Sequence, residues 1–422
     1  MFLKKALPVI LVASTLLLSA GGGPIGSWFA ISNQYLNFDQ QDASIAYNSQ
    51  SQEYLVVWWG EPSSGDLWGQ RVSRNGNVVG APIDIAGAVV GAQRIPDVAY
   101  NSQHNEYLVV WDNEDATYDS IRARRVAANG WLPGEVFTVA SGIIADTYCG
   151  APAVAYASAA DRYLVIYEYG NKYGWEQVGI AARAFTSNGS PDGAAFDVRP
   201  YGGGWPISGP DLAYNRARNE FLVVWAEGAG TTYAILGRRV KMGGGAGTVG
   251  DIFTIADTPT LDDIYPAVAA LPVPPGVGQY LVAWQYVYSL SDSDIYAQRV
   301  AGDGSGLVGS PIIISNPVAD QGAPAVDGNE TAGQYLVAWS HASAPPLMFV
   351  GIRGRAVSAA GDLLGQEEGV GGVFADHAAV AAGWSGDFLV AYEDQPLDAS
   401  HRGIYGRLWG IRTYLPLVLR NH

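Results

Sequence analysis

Tyr54-Leu-Val-Val-Trp58 returns as Tyr107-Leu-Val-Val-Trp111, Tyr163-Leu-Val-Ile-Tyr167, Phe221-Leu-Val-Val-Trp225, Tyr280-Leu-Val-Ala-Trp284, Tyr335-Leu-Val-Ala-Trp339 and Phe388-Leu-Val-Ala-Tyr392. The closing aromatics stand 53, 56, 58, 59, 55 and 53 residues apart. Seven copies at so even a spacing mark a repeat architecture. The phrase is apolar at every position rather than at alternate ones. A strand reads that way when both faces of its sheet are covered. A sandwich strand facing water on one side would alternate instead.

The flanks of each copy complete a unit. A short strand precedes it, as in Pro96-Asp-Val-Ala-Tyr100 and Pro210-Asp-Leu-Ala-Tyr214. After a variable loop comes a third strand, such as Ile121-Arg-Ala-Arg-Arg-Val126 or Ile295-Tyr-Ala-Gln-Arg-Val300. A glycine turn and a fourth strand follow, as in Phe137-Thr-Val-Ala140 and Phe253-Thr-Ile-Ala256. Four short strands per unit of about 55 residues describe a β-propeller blade. The predicted fold is all-β: a seven-bladed β-propeller with four antiparallel strands per blade. The seventh unit ends at Ile404-Tyr-Gly-Arg-Leu-Trp409 without a fourth strand, and Phe29-Ala-Ile-Ser-Asn33 is left over near the N-terminus. That segment is expected to close the last blade, because closure removes the exposed sheet edge of an open array.

The third strand carries a small residue in every copy (Gly69, Ala123, Ala182, Gly237, Ala297, Gly354, Gly406), then Gln or Arg (Gln70, Arg124, Arg183, Arg238, Gln298, Arg355, Arg407). The small residue fits the close approach of a bulky aromatic from a neighbouring strand or blade. The long polar residue is expected to cover the blade and bond to a carbonyl, since a function needed once is rarely built into every repeat.

The wording of the unit, with Asp294-Ile-Tyr-Ala-Gln-Arg-Val300 behind Tyr280-Leu-Val-Ala-Trp284, resembles a secreted bacterial β-propeller repeat family, mostly uncharacterised, that occurs in large surface proteins. The resemblance covers about residues 28–410. It implies an extracellular module and carries no catalytic residues over. The Ser-x-Asp-x-Gly-x-x-Trp box of sialidase-like propellers is incomplete at Ser73-Arg-Asn-Gly76, and Asp292-Ser-Asp294 is only a fragment of an integrin-like calcium loop.

Outside the repeats, Lys4 and Lys5 precede an apolar run from Ala6 to Leu18 and small residues from Ser19 to Gly23. That is the layout of a cleavable export signal, and the run is too short to span a bilayer. The expected division is a signal peptide and linker over 1–27, the propeller over 28–410 and a tail over 411–422. The tail, Tyr414-Leu-Pro-Leu-Val-Leu-Arg-Asn-His422, resembles a short C-terminal motif of some exported bacterial proteins. A secreted or cell-surface location follows, with no membrane span after cleavage. Cys149 is the one cysteine, so no intrachain disulfide forms. The net charge of −16 argues against a nucleic-acid partner.

Loops joining second to third strands vary most, and variable loops on a rigid scaffold are where binding concentrates. Acids including Asp42, Asp112, Asp115, Glu168 and Glu393 map to that face. Trp59, Tyr118, Tyr169, Tyr173, Trp175, Tyr286 and Tyr288 are interleaved with them. Rings beside carboxylates suit a glycan, and the acids also suit a basic protein partner. Trp59, Asp115, Tyr118, Tyr173, Trp175, Tyr286 and Tyr288 are the candidate ligand-binding residues. Gln40, Gln93, Asp263 and Gln321 hold equivalent positions before the first strands, where they are expected to line the channel mouth. Asp39, Asp262 and Asp320 precede three of them, an oxygen set suited to calcium. Asp376 and His377 form a second candidate metal pair. The function expected from these residues is a non-enzymatic binding module for a glycan or protein. One alternative is a carbohydrate-active hydrolase or lyase using the acids of this face. Another is a structural component of an envelope or filament.

Overall fold

In the computed structural model the described residues are 22–32, 38–60, 65–115, 119–142, 147–171, 178–202, 206–229, 232–242, 247–289, 291–342, 350–372, 374–395 and 401–411. They form seven four-stranded antiparallel sheets. Six blades take their strands in chain order; blade 1 is Gln40–Asn48, Glu53–Gly60, Asp66–Ser73 and Val78–Asp84. The innermost strands are Gln40–Asn48, Ala92–Asn101, Thr147–Ala157, Ile207–Asn215, Asp262–Leu271, Asp320–Asn329 and Asp376–Ala382. Each packs beside the next, and the seventh packs beside the first, so the ring is closed. Among the described residues no helix is long and apolar enough to cross a membrane.

Both-face burial of the second strand is explained seam by seam. Tyr54, Val56 and Trp58 enter a cluster with Leu389, Ala391 and Ile404 of blade 7. Leu55 and Val57 enter another with Val98, Tyr107, Val109 and Trp111 of blade 2. Alternate side chains of one strand thus feed two different seams, and these five residues are fully buried. At about 1.5–3 kcal/mol per fully buried large apolar side chain, these strands dominate the ring's stability.

Closure comes from Gly22–Ala30, the outermost strand of blade 7, antiparallel to Gly403–Ile411. The strand therefore begins six residues before the expected boundary at 28. Gly22 pairs with Ile411, and Phe29 with Gly406 across a bulge. Phe29 also reaches blade 1. A Cβ on Gly76, at φ +82°, would stand 2.7 Å from its ring.

Where the small residue of the third strand is glycine, its nearest neighbour is an isoleucine in three blades and an aromatic in one. A Cβ at Gly69, Gly237 or Gly406 would fall within 3 Å of Ile85, Ile255 or Ile31. At Gly354 the neighbour is Trp409, from blade 7. The long polar residue does bond to carbonyls. Arg124 reaches Ile85 O, Arg183 Val139 O, Arg238 Val198 O, Arg355 Ile314 O and Arg407 Val370 O, each in the preceding blade.

Candidate functional site at the channel mouth

Every inner strand carries a bulge at one equivalent place, where its register shifts against the second strand. Asp42, Ile95, Ala151, Gly209, Tyr265, Ala323 and His377 all take positive φ there, between 45° and 60°. For a β-branched residue such as Ile95 that conformation is strained. Its recurrence at seven positions occupied by six different residue types makes it a product of the ring rather than of any side chain. These seven stand at the rim on the loop-rich face, and the channel lining begins with the residues beside them. The bulge also decides where the preceding residue goes. Gln40, Gln93, Asp263 and Gln321 do not line the mouth: all four are fully buried. Asp263 accepts the Trp284 indole N–H at 2.7 Å and the Thr258 backbone N–H at 3.0 Å.

The candidate cation ligands do not converge either. Asp39 accepts the Arg402 backbone N–H at 2.9 Å, Asp262 accepts that of Tyr233 at 3.0 Å, and Asp320 accepts the Ser293 hydroxyl. Each acid therefore ties an inner strand to the third strand of the preceding blade, so the three stay at three separate seams. Asp376 accepts the Ser340 hydroxyl and the His377 N–H. Among the described residues no three His, Cys, Asp or Glu groups gather as a metal site would need.

Around blades 7, 1 and 2 the rim is tied together by polar contacts. His377 Nδ1 lies 3.7 Å from Glu393 Oε1, which accepts the Asp42 N–H at 2.9 Å. Asp42 Oδ2 accepts the Trp59 indole N–H at 2.7 Å, and the Arg94 guanidinium lies 5.7 Å from the centre of the Trp59 ring. Glu393 is nearly fully buried, with Arg402 3.1 Å away, and burial holds its carboxyl above the usual range. Trp59 is thus a half-buried indole committed to Asp42, and not a free platform.

Blade 3 supplies a different arrangement. Glu168 follows the closing aromatic of its second strand, where blade 2 has Asp112 and blade 7 has Glu393. Burial, and then the charge of Asp112, push the Glu168 carboxyl up to about 7. The Tyr148 hydroxyl donates to it at 3.5 Å. The Tyr148 ring also lines a cavity of about 490 Å³ beside the seam with blade 2, together with Tyr167, Tyr169 and Phe196. Tyr169 donates to Asp197 at 2.6 Å on its wall. Cys149, on the same wall, is a buried thiol pushed up to about 12 by burial, which leaves it unreactive.

On blade 5, Tyr286 packs against Tyr288 and Tyr296 with ring centroids 4.7 Å apart in both pairs. Tyr286 and Tyr288 are therefore brought together, with Tyr296 as a third ring that the repeat wording had assigned only to a strand. Asp294 beside them is held at about 6 by burial. Asp115 lies next to Gly91 where the chain enters blade 2. Tyr118, Tyr173 and Trp175 lie outside the described residues.

Three acids were missed by sequence reasoning. Asp97, Asp211 and Asp327 point into the central channel, a cavity of about 540 Å³ lined by all seven inner strands. Asp97 accepts the Ser44 hydroxyl of blade 1 and the Val154 N–H of blade 3, both at 2.7 Å. Asp211 accepts the Val268 N–H of blade 5, and Asp327 the Ala382 N–H of blade 7, both at 2.8 Å. Their signal was an acid inside an otherwise apolar first strand, visible in Pro96-Asp-Val and Pro210-Asp-Leu.

No protein-family profile matches the chain, and no curated protein matches it. Among solved structures it is similar to a protein of unknown function from Dyadobacter fermentans, at 11% identity and TM-score 0.54, over 93% of this chain and all of that one. It is also similar to an α-L-arabinofuranosidase of Fusarium graminearum in complex with an iminosugar inhibitor: 11% identity, TM-score 0.50, 91% and 98% covered. The arabinobiose complex of the GH93 α-L-arabinofuranosidase of that organism matches at 14% identity and TM-score 0.50, over 79% and 97%. At these identities the likeness is one of propeller fold.

Proposed function

We propose that the protein is an extracellular carbohydrate-active hydrolase that takes a saccharide chain on the loop-rich face, beside the seam of blades 2 and 3. The observation that carries this reading is Glu168, a buried carboxyl held near 7 and joined through Tyr148 to an aromatic-walled cavity. A carboxylic acid that keeps its proton at neutral pH is what protonation of a glycosidic oxygen requires, and a second carboxylate must stay ionised opposite it. Glu168 is assigned the acid, with Asp112 as the second carboxylate. As the C–O bond breaks, the Glu168 proton passes to the leaving oxygen. In the direct route water adds to the sugar carbon and gives its proton to Asp112; where Asp112 attacks first, water then displaces its carboxylate and gives its proton to Glu168. Tyr148, Tyr167, Tyr169 and Phe196 offer ring faces for the sugar's C–H surface. The propeller neighbours named for arabinofuranosidase activity put arabino-oligosaccharides first among substrates to try.

A second reading, glycan binding without cleavage, draws support from the tyrosine triad of blade 5. Tyr288 is 44% exposed there and flanked by Asp294.

The test is product release from a panel of arabinans and other polysaccharides, with Glu168→Gln beside the native protein. Loss of the general acid should lower turnover by about 10²–10⁴ while leaving saccharide binding in place. Retention of a saccharide with no product from either protein overturns hydrolysis and leaves the second reading. Absence of both binding and product overturns both.

A further inference from the structure

The opposite face of the ring, where the short turns lie, holds a cavity of its own. It measures about 500 Å³ and closes the far end of the channel. One side is walled by Tyr47, Tyr100, Tyr156 and Tyr214, at the same position of the inner strand in blades 1 to 4. Blades 5, 6 and 7 have Ala270, Gly328 and Ala382 there, so the ring of tyrosines is half a ring and the other half is space. The tyrosines are held firmly. Each packs on the aromatic opening its second strand, at 4.9 to 5.3 Å. Tyr100, Tyr156 and Tyr214 donate to Asn105, Asp161 and Asn219 at 3.1, 2.8 and 2.9 Å.

On the open side stand Asp327 and Glu330 of blade 6, with the Trp384 ring of blade 7, 54% exposed, at the rim. Glu330 pairs with Arg216, which reaches it from blade 4. The hydrogen bonds to the Asp327 carboxylate come from two neutral backbone N–H groups. Among the described residues, no Lys, Arg or His lines this cavity or the channel cavity it adjoins. A recess with aromatic faces on one side and carboxylate on the other, and no cation in its wall, concentrates negative potential. Ring faces attract a cation through their quadrupole, most strongly a bulky, weakly hydrated one.

We propose that this bowl binds an organic ammonium group, its alkyl surface against the tyrosine faces and its charge toward Asp327. A neutral sugar gains the ring contacts and forgoes the charge. The site lies across the ring from Glu168 and is independent of any activity there.

The test titrates the exported full-length protein by calorimetry with choline and with its neutral isostere 3,3-dimethyl-1-butanol. Choline should bind saturably and at least about tenfold more tightly than the alcohol, with an affinity that falls as salt rises. Trp384→Ala, at an exposed position, and Tyr100→Ala should each weaken choline about fivefold or more, and Glu168→Gln should leave it unchanged. Trp384→Ala keeps the test open where Tyr100→Ala fails to fold. Equal binding of the two probes, absence of saturation, or choline binding unaltered by Trp384→Ala overturns the proposal.

Discussion

Arg183 of blade 3 donates from Nη1 to the carbonyl oxygen of Val139 in blade 2, at 2.8 Å, and so spans the seam between the two blades. Four further arginines repeat the contact. Blades 1 and 5 carry glutamine instead, and Gln70 and Gln298 bond within their own blades, to Val79 O and Val308 O. The guanidinium is long enough to cross the seam and the carboxamide is not. Arg183→Gln should therefore cost about 1.5–3 kcal/mol, the range for a hydrogen bond from a charged donor. The check is a urea denaturation midpoint. A variant as stable as the native protein would show that the arginine only covers the blade.

The channel acids set a dependence on pH. Burial raises Asp211 to about 7 and Asp327 to about 6, and Asp97 moves the same way. A carboxyl raised in the folded state favours folding most when protonated. Its contribution is fully present below the ordinary carboxylate pKa and is lost as pH rises through 6 and 7. The melting temperature should fall between pH 5 and pH 8. Asp211→Asn should flatten that slope. The variant should also be less stable at pH 5, because the amide nitrogen turns a donor toward either Leu212 N–H or Val268 N–H. A melting temperature that climbs from pH 5 to pH 8 would contradict the assignment.

These two relationships differ in how far sequence alone reveals them. The arginine recurs at one position of the third strand, so its structural role follows from the repeat. Asp97 and Asp211 share a position that other blades fill with Ser44, Ala153, Ala267, Ala325 and Ala379, and Asp327 sits two residues further along. Nothing periodic announces them. The rim residues are harder still. Asp42, Ile95, Ala151, Gly209, Tyr265, Ala323 and His377 share a backbone conformation and no chemistry, because the bulge is imposed by strand register at the channel. That bulge is also why Gln40 and its equivalents are buried in seams rather than at the mouth. Glu168 was legible as one acid of a face, but its selection depends on burial and on Tyr148 of the same blade, which only the folded ring supplies.

The closing strand constrains where an export signal could be cleaved. Gly22, Gly23, Pro24 and Ile25 pair with Ile411, Gly410, Trp409 and Leu408. Cleavage at 27 would remove all four pairs and leave Phe29 and Ala30 to hold the edge. If the leader is cleaved, amino-terminal sequencing of the processed protein should find a start at or before Gly22. A truncation starting at 28 should unfold at lower urea, and Phe29→Ala should cost about 2 kcal/mol, below the range for fully buried phenylalanine because Phe29 is half-buried. A mature start at 28 with undiminished stability would separate the strand from closure.

The seam between blades 7 and 1 joins the two ends of the ring, and it has neither device of the other seams. Blade 1 offers Gln70 in place of the arginine, and no channel acid of blade 7 reaches blade 1 among the described residues. Its polar ties are at the rim: Asp42 N–H to Glu393, Gln40 N–H to the Arg402 carbonyl at 3.2 Å, and Arg402 N–H to Asp39. Glu393 is buried, so its charge depends on Arg402 and His377 for compensation. Arg402→Ala removes the nearer of these and should destabilise the fold by about 2–3 kcal/mol at pH 8, less than for a fully buried pair because Arg402 is 40% exposed. The loss should shrink toward pH 5. Without Arg402 the Glu393 carboxyl rises further above its ordinary range, and once protonated it no longer needs a cation. Glu393→Gln in the same chain should restore most of the stability at pH 8. Denaturation of the single and double variants at both pH values decides the matter, and a loss that is equal at pH 5 and pH 8 would assign Arg402 to packing instead of charge.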